Sequence, residues 1–294
     1  MWLRWLEAKM ALAEQWQLAG SGPECYERFA VGRHMRPIAE EFVRRVPVRE
    51  GDRVLDAACG TGIVARLLCG HRPRPRRVTG LDLNADMLAV ARRIGDSDGL
   101  GIEWRQGDLR ALPFADAQFE VVMCQQGLPF VADKPLALRE MRRVLVPGGR
   151  LALNVFGAPS RFHAALARGL AKFGDASAAT ISLAPFALAA AAELRALIGE
   201  ADFDDIQIET VSLSRRVEPT QEWLLQFSSA LPYAPSVAAM SAAARAEMLR
   251  EIAAELKGLW VRDAQAGDSF VVPCDVHFVL ARTRGSRPSE GVHP

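Results

Sequence analysis

An apolar run, Val54-Leu55, ends in an acid, Asp56, and passes through Ala57-Ala58-Cys59 into Gly60-Thr61-Gly62. The residues that follow, Ile63 to Leu68, are mostly apolar, so the stretch reads as a buried parallel strand, a tight loop and the first turns of a helix. Glycines at 60 and 62 keep Cβ atoms out of the space a ligand would need, and the helix start behind them offers unpaired N–H groups. Gly60 to Ala65 fits G-x-G-x-x-G/A, and Asp82 ends the next apolar run twenty residues after Gly62. A carboxylate there is placed to accept both hydroxyls of a ribose. Nicotinamide enzymes and methyltransferases share this nucleoside-binding geometry, and Asp56 tips the balance between them. A carboxylate four residues before the first glycine would repel a pyrophosphate, whereas a ligand carrying an ammonium and a sulfonium would welcome it.

Asp56-Ala57-Ala58-Cys59-Gly60-Thr61-Gly62 resembles the first motif of class I S-adenosylmethionine-dependent methyltransferases, within the broad group of small-molecule enzymes that includes quinone-biosynthesis C-methyltransferases. The likeness is specific from about residue 50 to 156 and weak outside. It includes Gly107-Asp108-Leu109, similar to the motif whose acid meets the adenine amino group, and the block Leu138 to Leu151 with Pro147-Gly148-Gly149. What it implies is an α/β fold: a Rossmann-like, seven-stranded, mostly parallel sheet with the last strand antiparallel, plus helical lid insertions. It implies S-adenosyl-L-methionine as cofactor, held by Asp56, Ala57, Gly60, Gly62, Asp82, Asp108, Leu109 and Gln125, with Leu83 and Met87 flanking the adenine. Tyr26 and Arg36 stand where relatives use an N-terminal helix to close over the cofactor and pair its carboxylate; Arg36 equally suits the cap of a surface helix.

The elements that must position these residues follow from pattern. Residues 2 to 18 read as a helix with Trp2, Trp5 and Trp16, and Tyr26 to Arg45 as a second; together, residues 1–49 form a helical cap. The core comprises residues 50–214 and 266–284. Its strands lie near 54–57, 77–84, 102–108, 120–124, 150–156, 206–213 and 269–282, its helices after the glycine loop, after Asn84 and over 135–145. Ser160 to Phe173 and Ala189 to Ala201 are helical, with 174–185 as loop between them. Residues 215–265 form an insertion of two helices around Pro232-Tyr233-Ala234-Pro235, and 285–294 read as a disordered tail.

Trp223, Phe227 and Tyr233 make that insertion an apolar lid for an aromatic or lipophilic acceptor; Gln126 and His163 are assigned to the same pocket. The histidines 34, 163 and 277, the last beside Asp275, are the candidate bases, and none is assigned as catalytic. Lys+Arg 36 against Asp+Glu 35 leaves a net charge of +1, no footprint for nucleic acid; Arg72 to Arg77 reads as a solvated basic loop. Five cysteines without C-x-x-C spacing argue against a disulfide framework or metal site and for a reducing cytoplasm. No signal peptide or membrane span is expected, and a homodimer is possible. The expected reaction is methyl transfer to a small acceptor, with oxygen slightly preferred on family breadth. A ring carbon of a quinone is the alternative, and cofactor binding without transfer the third reading. A nucleic-acid amino-methyltransferase would carry Asn/Asp-Pro-Pro-aromatic where this chain has Cys124-Gln125-Gln126-Gly127-Leu128.

Overall fold

The computed structural model describes residues 18–218, 220–261 and 268–284. The expected helix at 2–18, apart from Leu18, and the tail at 285–294 lie outside the described residues. Eight strands are described: β1 Arg53–Ala57, β2 Arg77–Asp82, β3 Glu103–Gln106, β4 Phe119–Gln125, β5 Leu145–Phe156, β6 Phe203–Val217, β7 Trp260–Val261 and β8 Ser269–Thr283. They form one sheet in the order β3-β2-β1-β4-β5-β8-β6, with the two-residue β7 added beside β8. Pairing is parallel from β3 to β5, while β8 runs antiparallel to both β5 and β6. This is the expected sheet with one short strand added.

The central strands are buried on both faces, which is why they read as continuous apolar runs. Leu55, Ala57, Val122 and Cys124 pack beneath the helices Lys134–Val144 and Ala191–Glu200. Their chain neighbours Val54, Val121 and Met123 point the other way, toward Arg36–Arg45 and Ile63–Gly70. Among the described residues no single helix is long and apolar enough to cross a membrane; the bent pair Ala176–Phe186 and Ala191–Glu200 passes that test only together.

Beyond the sheet the chain departs from the expected outline. β5 ends where Phe156 faces Val276, yet β6 and β8 stay paired as far as Val217 opposite Phe270. The two strands therefore run on for six residues past their neighbour, about 20 Å at strand rise. A bare two-stranded ribbon is marginal in water, and helices cover it. Phe162, Leu166, Trp223, Phe227, Met248 and Val272 share a third core there. It draws on Arg161–Phe173 and Ala176–Leu183 as well as Gln221–Ser229, Ala234–Ala239 and Ala242–Glu255, so the lid is larger than residues 215–265 and Arg215 belongs to β6. The stretch 174–185, expected as loop, holds a helix. Asp175 caps it, accepting the Ala178 N–H at 2.8 Å, and alanines favour it.

Candidate active site

Strand order reverses between β1 and β4, which makes their carboxyl ends a switch point where open α/β sheets bind ligands. Both strands end in a non-glycine residue with left-handed backbone, Ala58 at φ 58 and Gln126 at φ 55, each costing about 1–2 kcal/mol. The strain is held in place by hydrogen bonds. Gln126 donates its backbone N–H to the Asn154 carbonyl at 3.0 Å and its side-chain amide to Asn154 Oδ1 at 3.0 Å. Asn154 Nδ2 in turn donates to Gln125 Oε1 at 3.2 Å.

The glycine loop is shaped by two carboxylates with different tasks. Asp82 Oδ2 accepts the Gly60 N–H at 2.7 Å and its Oδ1 the Asn84 N–H at 2.9 Å. Each oxygen keeps a lone pair, and burial raises the carboxyl's pKa against those two N–H groups. Asp56 lies underneath. Its Oδ2 accepts the Ala65 N–H at 3.0 Å, one of the unpaired donors at the start of Ile63–Gly70, while Oδ1 is buried without a partner. Burial pushes this carboxyl up to about 7. The segment above the loop is tied down by Glu27, which accepts from Thr61 Oγ1 at 2.5 Å and Arg66 Nη2 at 2.6 Å.

A cavity of about 260 Å³ opens over this loop. Its sheet end is lined by Tyr26, Gly60, Asp82, Leu83, Met87, Asp108, Leu109 and Gln125. Leu83 is 50% exposed, a bare apolar side chain at the cavity wall of the kind a flat aromatic ligand would cover. Asp108 is also engaged by Arg110, whose Nη2 approaches at 2.6 Å and holds the carboxyl below its ordinary range. The lid end is lined by Gln126, His163, Phe227 and Tyr233, together with Phe130, Phe156, Phe186, His34 and Arg215.

Five of the expected residues stand off this cavity. Gly62, at φ 85, admits the indole of Trp104, whose Cη2 would lie 2.3 Å from an added Cβ. Strand alternation turns Ala57 into the core beside Leu55. It turns Asp56 the opposite way, toward the helix behind the loop, where it lines only a side pocket of about 40 Å³. Arg36 follows a π-wound stretch, Tyr26–Met35, that presents Tyr26, Ala30 and His34 to the cavity. Two residues past His34, it points away and meets Glu40 at 3.8 Å. Trp223 stacks on Phe227 at 5.0 Å between ring centres, within the lid's own core. Among the candidate bases, His277 is committed to the fold, bonded to Thr210 Oγ1 and the Ala189 carbonyl, each at 2.8 Å.

Residues 55–153 match the family model described as a methyltransferase domain. That likeness covers about a third of the chain. The 2-phytyl-1,4-naphtoquinone methyltransferase of Thermosynechococcus vestitus is 48% identical over 110 residues, 37% of this chain and 48% of that one. The malonyl-[acyl-carrier protein] O-methyltransferase of Pectobacterium atrosepticum is 36% identical over 144 residues, 49% of this chain and 52% of that one. The chain thus spans about half the length of the curated relatives it matches. Among solved structures, the YcgJ protein of Bacillus subtilis superposes with a TM-score of 0.59 at 17% identity, covering 86% of this chain and all of that one. The [4+2]-cyclase SpnF does so with a TM-score of 0.52 at 20% identity, covering 85% and 81%.

The match to the methyltransferase model stops at residue 153, so most of the lid end of the cavity lies outside the matched stretch. Sequence reasoning missed Phe156, Phe186 and Arg215 there, and Asn154, which holds Gln125 and Gln126 from β5. Arg215 shares a face with Leu213 and Val217, opposite to Ser214 and Arg216, in a run that the structure shows to be strand. Cys59 and Cys124 are buried at the carboxyl ends of β1 and β4, and burial raises both thiols, Cys124 to about 12. They serve packing: a Cβ on Gly127 would meet Cys124 Sγ at 3.0 Å.

Proposed function

We propose that the protein transfers a methyl group from S-adenosylmethionine to a small lipophilic acceptor. The observation that carries this reading is the continuity of the cavity. One wall offers Asp82, Leu83, Met87 and Asp108, chemistry suited to an adenosine, and the same space runs on into a pocket of aromatic rings under the lid. The residues fit the cofactor: a buried carboxylate, Asp82, with lone pairs to spare for hydroxyls, and a bare apolar side chain, Leu83, beside it. When bound, the cofactor supplies a methyl group on a cationic sulfur, already activated for transfer.

The protein's share is approach geometry and exclusion of water. Phe130, Phe156, Phe186 and Phe227 line the acceptor end and hold a flat or apolar molecule against the end of β4. His163 has no lone pair to offer, since Nε2 accepts from Arg215 Nη1 and Nδ1 donates to Ser160 Oγ, both at 2.8 Å. His34 keeps Nδ1 without a partner, and burial with Arg215 nearby holds its pKa well below the usual histidine range.

We favour oxygen as the methylated atom. Methylation of a quinone-type ring carbon is the second reading, supported by the 48% identity to the naphtoquinone methyltransferase within the matched stretch. A cytoplasmic setting is part of the same proposal, supported by five cysteines that are all unpaired. Calorimetric titration with S-adenosylmethionine, S-adenosylhomocysteine and NAD tests the core of it. Binding of the adenosyl ligands alone, weakened in Asp82→Ala, is expected; a response to NAD alone would overturn it. Release of one S-adenosylhomocysteine per product separates transfer from a cyclisation that leaves the cofactor intact.

A further inference from the structure

Arg215 lines the lid end of the cavity and is only 8% exposed. A guanidinium taken out of water at that depth costs several kcal/mol unless an anion answers it, and it cannot shed its proton. Among the described residues none answers: no carboxylate stands within ion-pair distance of Arg215. Of its five N–H bonds, one is used, donated to His163 Nε2 at 2.8 Å. The His163 and His34 imidazoles beside it are held neutral, burial being the main cause and the Arg215 charge the next. The faces of Phe156 and Phe227 flank it at 6.0 Å, cation–π contacts that stabilise the charge modestly and leave its hydrogen-bonding edge unmatched. A second donor or acceptor waits in the same wall, since His34 Nδ1 is buried without a partner.

The position is built, not incidental. Arg215 faces Val272 on the ribbon of β6 and β8 that runs past the sheet. It is four pairs beyond the end of β5, about 13 Å at strand rise. That distance sets it apart from Gly60, Asp82 and Asp108 at the sheet end of the cavity. The cavity therefore has an acidic end at the sheet and a basic end under the lid.

We propose that Arg215 is the anchor for a carboxylate on the methyl acceptor, so that the substrate class is an organic acid with an aromatic or long apolar body. The proposal rests on the methyltransferase reading above. A planar guanidinium with its remaining N–H groups free matches a carboxylate through two parallel hydrogen bonds, and the surrounding rings accept the apolar body. The acid is either the methylated group or only the handle by which the acceptor is held; the anchor is the same in both cases.

The test uses the full chain saturated with S-adenosylhomocysteine and titrated with benzoate, naphthoate and dodecanoate, each beside its uncharged methyl ester. At least one acid should bind about tenfold or more tightly than its ester, the scale of a buried charge-assisted pair. Arg215→Gln should erase that preference and leave S-adenosylhomocysteine affinity within about twofold, while Arg215→Lys keeps the charge and part of the preference. Should Arg215→Gln fail to fold by circular dichroism, the wild-type preference and its decline in Arg215→Lys decide. Equal binding of every acid and ester, or a preference that survives in Arg215→Gln, overturns the proposal. So does loss of S-adenosylhomocysteine affinity in Arg215→Gln with the acid preference intact, which would assign the arginine to the cofactor. Failure of the wild type to bind S-adenosylhomocysteine at all would instead refute the methyltransferase reading.

Discussion

Replacing Asp56 by asparagine should change the pH dependence of stability in a direction opposite to that of an ordinary paired carboxylate. Asp56 is 1% exposed, with Oδ2 on the Ala65 N–H and Oδ1 on nothing. Burial raises its pKa from 3.8 to about 7, the Asp82 charge adds to the rise, and the Ala65 N–H and Arg66 oppose it. Between those two values the folded protein holds a proton that the unfolded chain has released, so the slope of stability with pH is negative. The contribution costs nothing below about pH 4, grows through the interval and levels off above about pH 7. At about 1.4 kcal/mol for each tenfold step, the full span comes to about 4 kcal/mol, an upper figure because the site can relax. Urea unfolding of the wild type and Asp56→Asn between pH 4 and pH 8 isolates the effect, since every other carboxylate is common to both. The variant should gain about 2–4 kcal/mol on the wild type across that range. A constant difference at all pH values would mean that the carboxylate is ionised with an ordinary pKa and that a cation compensates it in the fold.

Three further outcomes are expected. Asp82→Asn should raise the S-adenosylhomocysteine dissociation constant about tenfold or more, one or two charged hydrogen bonds being weakened; an unchanged constant by calorimetry would remove Asp82 from the ligand. Gly62→Ala should lower stability by about 2–5 kcal/mol, from left-handed strain and overpacking together, because the new methyl would lie 2.3 Å from Trp104. Trp104→Leu in the same chain should restore only the packing share, and a urea midpoint insensitive to Gly62→Ala would contradict both causes. Phe227→Leu should raise the acceptor KM while kcat and S-adenosylhomocysteine affinity stay close to wild type, as its ring reaches the cavity only at the lid end. A matched fall in cofactor affinity would put that ring at the wrong end.

Legibility in the sequence followed the physics of each element. Strands β1, β2 and β4 are short, parallel and buried on both faces, so each is an apolar run punctuated by the residues that must turn toward ligand. Asp82, Leu83, Asp108 and Gln125 could therefore be placed by counting from strand ends, and all four line the cavity. Gly62 and Ala57 were harder because a glycine reads alike whether it clears space for a ligand or for an indole. What decides the matter is Trp104, forty-two residues on and two strands away. The helix Ala176–Leu183 hid in an alanine-rich stretch with no marked apolar stripe. It shows itself through Asp175, which caps it and also accepts from Ser236 across the lid.

Arg215 was illegible for a different reason, and that reason bears on specificity. From sequence, β6 seemed to stop at Leu213, because Ser214, Arg215 and Arg216 interrupt the apolar alternation. A strand buried against another sheet would indeed stop there. β6 instead continues because β8 goes with it, residue for residue, as far as Phe270. The pair then needs no third strand, only the helical cover that the lid supplies. Extending a ribbon beyond the sheet places side chains of one face over the carboxyl ends of β1 and β4, which no loop of similar length would hold as firmly. An arginine on that face projects into the cavity from above while Asp82 borders it from below. On the proposed reading the fold core sets where a nucleoside lies, and the ribbon, outside residues 55–153, sets which acceptor lies against it.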